Sequence, residues 1–137
     1  MNNKLFTYGT LRVNQPNSAV IKNHSIFQTS CKSTEKYIMI TQKNKKYPIS
    51  IPVQYWPEMA HKATYISGDV YAITDVGIGY CDILEEHPTF YIRTPIKVIN
   101  NSGKIIRAEA YIIAKEAFST INKNNIVFIE GDWLNLT

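Results

Sequence analysis

The fold is indicated most clearly by residues 91–113, which read YIRTPIKVINNSGKIIRAEAYII. Residues 91–99 and 105–113 are two runs rich in Ile, Val and Tyr, which favour strands. Between them stand Asn100-Asn101-Ser102-Gly103, residue types that favour a tight turn. The pattern predicts a β-hairpin.

Four further segments predict strands or their edges. Residues 5–8 form a short apolar run that ends at Gly9, and residues 36–41 form a second run. Residues 65–73 are β-branched and aromatic, with Gly68 marking a bulge or a close approach of another backbone. Residues 48–53 carry two prolines, which exclude a central position in a sheet.

Evidence for helices is weaker. Asn17 could cap a short helix over residues 18–22, and residues 116–121 could form one more turn. Thr74 or Asp75 could cap a helix that runs to about Glu86 and is stopped by Pro88. About six strands with two or three short helices predict one α+β domain over residues 1–137, built on a small, barrel-like mixed β-sheet flanked by short helices.

The composition is that of a globular domain. Of 137 residues, 45% are hydrophobic and 19% charged, and the net charge is +4. This balance excludes a disordered chain. Much of the positive charge is local, as in the basic turn at residues 43–46, so we expect a solvated loop and no nucleic-acid partner, although non-specific attraction to polyanions stays open.

Localisation is inferred from what the sequence lacks. Gly9 interrupts the N-terminal segment before a secretory signal could develop, and no run approaches the ~18 apolar residues of a membrane helix. Cys31 and Cys81 match no metal or redox spacing, and two idle thiols are a simpler interpretation than a disulfide. We expect a cytoplasmic protein without a membrane partner.

The first candidate site follows the first predicted strand, in Tyr8-Gly9-Thr10-Leu11-Arg12. A chain that leaves a strand through glycine can turn sharply and present successive backbone N–H groups to one point. Such a nest binds a carboxylate or an oxyanion. The alternative is an ordinary turn.

The second candidate is the segment from Asp82 to Arg93, between a helix end and a strand start. Asp82 and Glu85 share a helix face, and apolar neighbours would raise the pKa of the carboxyl nearest the core towards that of a general base. The alternative is a solvated helix end. Arg93 could pair with Asp82 or Glu86, in a structural role.

Other chemistries have no support in the sequence. The three histidines form no metal-binding pair, so no metal site is predicted. No serine stands in a nucleophile elbow, and no P-loop or dinucleotide-binding glycine pattern occurs. A carboxylate beside an anion-binding turn is what remains.

Together these segments resemble the γ-glutamylcyclotransferase-like (AIG2-like) superfamily. The resemblance covers about residues 4 to 115 and rests on four ordered motifs: Tyr8-Gly9-Thr10-Leu11, Gly68-Asp69-Val70-Tyr71, Asp82-Ile83-Leu84-Glu85 and Tyr91-Ile92-Arg93. The continuation Gln15-Pro16-Asn17 is similar to the branch of the family that acts on γ-glutamylamines. Gly131-Asp132-Trp133 also resembles some members.

The resemblance implies a cofactor-free enzyme with a small-molecule γ-glutamyl substrate. The α-amine of the γ-glutamyl group attacks its own γ-carbonyl, which gives 5-oxoproline and releases an amine such as lysine. By position, Glu85 is implied as general base and then acid. Tyr8, Gly9, Thr10 and Leu11 are implied as the substrate-binding loop. Tyr91 could orient the glutamate, line the cleft, or simply be a core tyrosine.

Two departures and several alternatives bear on specificity. Glu86 stands where the family often has a small residue, and Cys81 where leucine is common. We hypothesise that Glu86 favours a cationic leaving amine. Residues 48–57, with Tyr55 and Trp56, are expected to form the amine side of the cleft. Another γ-glutamyl amino acid, a polyamine conjugate or metabolite, or a non-catalytic binding role stays open, as does the oligomeric state.

Overall fold

The computed structural model describes residues 3–136, which form seven strands and two α-helices. Their bounds are β1 (Asn3–Thr7), β2 (Ser25–Gln42), β3 (Ile49–Ile51), β4 (Thr64–Ile73), α1 (Asp75–Leu84), β5 (Tyr91–Asn100), β6 (Ile105–Ile113), α2 (Lys115–Ser119) and β7 (Ile126–Ile129). Short 3-10 segments lie at Ser18–Val20, Val53–Tyr55, Pro57–Lys62 and Trp133–Leu136.

Five of these strands close into a barrel. They pair in the order β2-β4-β1-β6-β5, and β5 pairs back to β2 through Cys31 and Asn100. The β1–β6 pair is parallel, at Leu5 and Glu109, and the other pairs of the barrel are antiparallel. The predicted α+β fold with a small mixed barrel is therefore confirmed.

The hairpin of β5 and β6 is confirmed in full register, from Tyr91 opposite Ile113 to Ile99 opposite Ile105. Its turn is held by the Asn100 side chain, whose Oδ1 accepts from the N–H groups of Ser102 (3.1 Å) and Lys104 (2.9 Å). Gly103 has φ +84°, a backbone conformation that residues with a side chain rarely adopt. Local turn chemistry thus accounts for this element.

The sequence prediction missed β7 and the first half of β2. Residues 25–35 are mostly polar or exposed, so they lack the apolar pattern of a strand. They become a strand because β4 pairs with them along most of their length and β5 pairs with Cys31, Lys32 and Ser33. Strand β7 is only four residues long and depends on its pairing with β2.

Two predictions about special positions are confirmed. The proline-flanked β3 lies at the end of the sheet, paired with β2. Gly68 allows a close approach, because a Cβ there would overlap the carbonyl oxygen of Thr7 and come within 2.6 Å of the Phe6 ring. This glycine lets β1 lie tightly against β4.

The predicted helix caps have different outcomes. Thr74 caps α1, since its Oγ1 accepts from the N–H of Gly77 at 3.1 Å. Asn17 directly precedes the short 3-10 segment Ser18–Val20, as predicted, but its side chain makes no cap bond. Its Nδ2 donates instead to Oγ1 of Thr10 at 2.8 Å, which links it to the loop after β1.

Two hydrophobic clusters stabilise the fold. One takes residues from the inward face of every barrel strand: Phe6, Cys31, Met39, Ile66, Val70, Val98, Ala110 and Ile112. The other lies beneath α1, α2 and β3 and includes Leu5, Ile38, Ile49, Ile73, Cys81 and Phe118. Both cysteines are free and buried, as the sequence suggested. None of the helices in residues 3–136 has the length and hydropathy needed to cross a bilayer.

Candidate active site

The loop that follows β1 offers a row of free backbone donors. Within the described part of the chain, the N–H groups of Gly9, Thr10 and Leu11 donate no backbone hydrogen bond. Asn17 fixes this loop by two contacts, its N–H to the Thr10 carbonyl and its Nδ2 to the Thr10 hydroxyl, both at 2.8 Å. The donors are therefore held in place and remain available to a ligand.

Gly9 is needed here for close packing. A Cβ at this position would come within 2.8 Å of the Pro48 ring. The absence of a side chain lets the loop lie against the segment before β3, which supplies Tyr47 and Pro48 to the same cavity.

The loop is anchored from below by a buried ion pair. Arg12 is 7% exposed and contacts Asp69 on β4 through Nε (3.3 Å) and Asp132 near the C-terminus through Nη1 (2.9 Å). The Asp69 carboxylate also accepts from the N–H of Val13 at 3.1 Å. Sequence reasoning gave Arg12 no role, because its partners are 57 and 120 positions away.

Glu85 lies immediately after α1, where the chain leaves the helix. Its N–H still donates to the Cys81 carbonyl at 2.9 Å, and Glu86 then adopts φ +53°, which ends the helical path. The structure thus places the Glu85 carboxyl at the helix end and directs the chain away towards β5.

The structure brings the predicted site residues to one place. An inner cavity of about 40 Å³ is lined by residues from β1, the loop after it, the segment before β3, the end of α1, β5 and β6. These residues include Tyr8, Gly9, Thr10, Leu11, Tyr47, Pro48, Glu85, Tyr91 and Tyr111. It adjoins an outer cavity of about 230 Å³, which shares Thr10, Tyr47, Glu85 and Tyr91 and adds Asn17, Lys46, Leu84, Glu86 and Phe90.

The Glu85 carboxyl is a strong candidate for acid–base chemistry. Burial raises its pKa from 4.5 to about 7. Among the described residues no hydrogen-bond donor or cation contacts the carboxyl to oppose this effect. A carboxyl of this kind can both take and return a proton near neutral pH.

The two tyrosines of the predicted site are neutral hydrogen-bond donors. The Tyr8 hydroxyl donates to the Tyr111 carbonyl, and the Tyr91 hydroxyl donates to the Pro48 carbonyl at 2.8 Å. Burial raises the pKa of both phenols far above their usual value, so neither ionises near neutral pH. Tyr91 therefore lines the cleft and has a satisfied hydroxyl as well.

The prediction for the amine side of the cleft is wrong in part. Of residues 48–57, only Pro48 lines the inner cavity, and none of them lines the outer one. Tyr55 and Trp56 pack against Phe118 instead, with ring centroids 6.3 Å and 5.6 Å away. The two residues were predicted to line the cleft because they are aromatic, but their rings pack against α2.

Several lining residues were not predicted. Tyr47, Lys46 and Tyr111 reach the cavities from elements far from the motifs in sequence, so no local pattern signals them. Arg93 was expected beside Asp82 or Glu86; it pairs with Asp82 and, through Nε, with Glu109 at 3.1 Å. Within residues 3–136, no three His, Cys, Asp or Glu side chains cluster as metal ligands.

The chain is similar in sequence and in fold to several known proteins. A putative gamma-glutamylcyclotransferase of Methanocaldococcus jannaschii is 34% identical over 107 residues, covering 78% of this chain and 81% of the relative. A zebrafish (Danio rerio) gamma-glutamylaminecyclotransferase C is 26% identical, with 96% of this chain and 80% of the relative covered. The crystal structure of an AIG2-like protein from Mus musculus superposes with a TM-score of 0.75 at 19% identity, over 94% of this chain and 86% of that one. The family model described as gamma-glutamyl cyclotransferase, AIG2-like, matches residues 5–135, and the chain therefore belongs to that family.

Proposed function

We propose that this protein is a γ-glutamylcyclotransferase that converts γ-glutamylamines into 5-oxoproline and a free amine, with Glu85 as the proton carrier. One observation carries the proposal: the cavity is lined both by Glu85, whose carboxyl has a pKa raised to about 7, and by residues 9–11, whose backbone N–H groups donate no backbone hydrogen bond. Family membership supports the reaction class.

The reaction combines one ring closure with proton transfers through Glu85. Glu85 takes a proton from the substrate α-ammonium, and the freed amine attacks the γ-carbonyl carbon. The oxygen that becomes negative is stabilised by backbone N–H groups of residues 9–11. The C–N bond then breaks as the protonated Glu85 gives this proton to the departing nitrogen. The Glu85 carboxylate then takes the second proton from the ring nitrogen and passes it to the released amine, which leaves as an ammonium beside the neutral lactam nitrogen of 5-oxoproline. The substrate supplies the nucleophile, so the protein needs to fold it and hold it.

The outer cavity supports an amine that carries further charge. Glu86 and Lys46 both line it, and both are exposed at its mouth. A leaving group such as lysine, attached through its ε-nitrogen, would bring an ammonium for Glu86 and a carboxylate for Lys46. The similarity to zebrafish gamma-glutamylaminecyclotransferases supports the same substrate class. A γ-glutamyl amino acid joined through its α-nitrogen would bring a carboxylate for Lys46. A γ-glutamyl polyamine would bring an ammonium for Glu86.

The first prediction concerns the reaction itself. Wild-type protein should release 5-oxoproline and lysine in equal amounts from γ-glutamyl-ε-lysine, measured by chromatography. Glu85→Gln should fold normally and lose ~100-fold or more of kcat, because the amide can neither accept nor return the proton. Glu58→Gln, which removes an exposed carboxyl elsewhere, is the matched control. Near-wild-type turnover by Glu85→Gln would remove the mechanism, and binding without any 5-oxoproline would favour a non-catalytic module.

The second prediction concerns Glu86. Glu86→Gln should lower kcat/KM for γ-glutamyl-ε-lysine about threefold to fivefold relative to γ-glutamylbutylamine, as expected for an exposed charge contact. Glu116→Gln removes an exposed charge on α2 and should leave that ratio unchanged. Equal ratios in Glu86→Gln and wild type would exclude a role for Glu86 in reading the leaving amine.

A further inference from the structure

We propose that Arg93 and Tyr111 are positioning residues that clamp the end of α1 and thereby set the place of the Glu85 carboxyl. The two residues are direct cross-strand partners on β5 and β6. The inference rests on the proposed role of Glu85 and goes beyond it, because it assigns a purpose to polar contacts outside the reacting groups.

The Glu85 carboxyl has no direct support of its own. Across residues 3–136 it takes part in no hydrogen bond and no ion pair. Its position therefore follows from the backbone that carries it. That backbone is a helix end, the part of a helix that frays unless its last carbonyls find partners.

The residue one turn before Glu85 is bound to both members of the clamp. Oδ1 of Asp82 accepts from the Tyr111 hydroxyl at 2.7 Å, and Oδ2 accepts from Nη1 of Arg93. Nε of Arg93 also donates to Glu109 on β6 at 3.1 Å, which fixes the guanidinium from its other side. Asp82 is thus fixed to the barrel wall by two donors.

The segment just after Glu85 is bound to the same strand. The backbone N–H of Arg93 donates to Nδ1 of His87 at 3.0 Å, and the N–H of His87 donates to the Asp82 carbonyl at 2.9 Å. Contacts to Arg93 therefore lie on both sides of Glu85 in the chain. A helix end held at two points around one residue cannot shift that residue freely.

Tyr111 also connects this helix end to the substrate loop. Its hydroxyl binds Asp82, while its backbone carbonyl accepts from the Tyr8 hydroxyl at the start of the loop. Burial and the bond to Asp82 both raise the pKa of Tyr111, so the phenol stays a donor throughout the working pH range. One residue of β6 thus fixes the proton carrier relative to the N–H donors. A misplacement of about 1 Å between such groups can cost up to ~100-fold in rate.

The test is a double-mutant cycle on kcat. Tyr111→Phe keeps the ring and the carbonyl that Tyr8 uses, and it removes only the bond to Asp82. We expect kcat to fall about tenfold with KM within twofold of wild type, at a temperature where both proteins are folded. Tyr65→Phe, which removes an exposed hydroxyl on β4, should change neither constant.

The second arm separates positioning from direct contact with substrate. Asp82→Ala should lower kcat at least as much, because it removes the contacts of both Tyr111 and Arg93. Adding Tyr111→Phe to it should cause no further loss, because the hydroxyl acts through Asp82. Effects that multiply, a loss confined to KM, or an unchanged kcat in Tyr111→Phe would each overturn the proposal. Wild-type and Glu85→Gln activities test the proposed function separately, since neither protein alters the clamp.

A third pair of variants covers the case in which Tyr111→Phe does not fold. Arg93→Lys can still pair with Asp82 and keeps the backbone N–H that His87 uses, whereas Arg93→Met cannot pair. We expect Arg93→Lys to retain at least threefold more kcat than Arg93→Met, with similar KM in both. Equal kcat values in the two variants would overturn the clamp.

Discussion

Glu85 combines a position at a helix end with an environment that favours its neutral form. Burial raises its pKa, and the hydroxyls of Tyr8 and Tyr91 donate to backbone carbonyls, so they offer it no hydrogen bond. A carboxyl in such a place is costly to ionise, and that cost is a property of the folded state which can be measured apart from any activity.

The third prediction follows from linkage at this residue. The folded-state pKa of Glu85, about 7, lies above the ordinary value of 4.5. Its favourable contribution is therefore complete below pH 4.5 and is lost as the pH rises through 7. Between pH 5 and 8, the free energy of unfolding of wild type should fall by roughly 1 to 3 kcal/mol more than that of Glu85→Gln.

Urea unfolding at the two pH values checks this difference. Glu58→Gln serves as the control, because its carboxyl is exposed and its pH dependence should follow that of wild type. Parallel pH dependence in wild type and Glu85→Gln would contradict the raised pKa.

At the scale of elements, two glycines differ in the space available for a side chain, one in β4 and one in α1. Gly68 has no room for a side chain because the Thr7 carbonyl and the Phe6 ring lie against it. Gly79 lies in the exposed middle of α1, and a Cβ there would meet nothing within 4 Å.

The fourth prediction uses this pair. Gly68→Ala should destabilise the protein by about 2 kcal/mol or more, because β1 and β4 would have to separate. Gly79→Ala should stabilise it by about 1 kcal/mol through helix propensity. Thermal or urea unfolding of both variants is the measurement. A neutral Gly68→Ala would show that the barrel does not need the close approach.

The elements that sequence reasoning predicted are those whose signals are local. The β5–β6 hairpin has its turn residues and its alternating pattern within 23 consecutive positions, and Thr74 caps the helix that follows it in sequence. The first half of β2 has no such pattern, since pairing with distant strands makes it regular. Strand β7 has an apolar sequence, IVFI, but it is only four residues long, and the sequence prediction missed it.

The same division holds for the candidate site. The loop at residues 8–11 and Glu85 were identifiable because each belongs to a short motif. Tyr47 and Tyr111 line the cavity only because the fold brings distant segments of the chain together. Contacts across such sequence distances leave no periodic trace.

At the scale of the whole molecule, a residue in the first part of the chain is joined to one in the last part beside the candidate site. Arg12, near the N-terminus, pairs with Asp132 near the C-terminus, while Asp69 of β4 supports it from inside the fold. The carbonyl of Gly131 also accepts from the N–H of Ser67 at 2.8 Å. Gly131 and Asp132, near the end of the family match, are therefore part of the support of the loop after β1.

The fifth prediction ranks the two carboxylates that pair with Arg12 by their contribution to stability. Asp69 is 4% exposed and accepts from Arg12 and from the Val13 N–H, so Asp69→Asn should cost about 2 to 3 kcal/mol of the free energy of unfolding. Asp132→Asn should cost about 1 kcal/mol, because that carboxylate is partly solvated. Urea unfolding distinguishes the two, and an equal or reversed order would contradict a support centred on Asp69.

The most direct test is the pH dependence of 5-oxoproline release from γ-glutamyl-ε-lysine. We expect kcat/KM of wild type to rise with pH through an apparent pKa near 7, as Glu85 ionises. Glu85→Gln should lose this rise together with ~100-fold or more of the rate. A wild-type protein that forms no 5-oxoproline, or a Glu85→Gln protein that keeps both the rate and the rise, would contradict the assignment of Glu85 as the proton carrier.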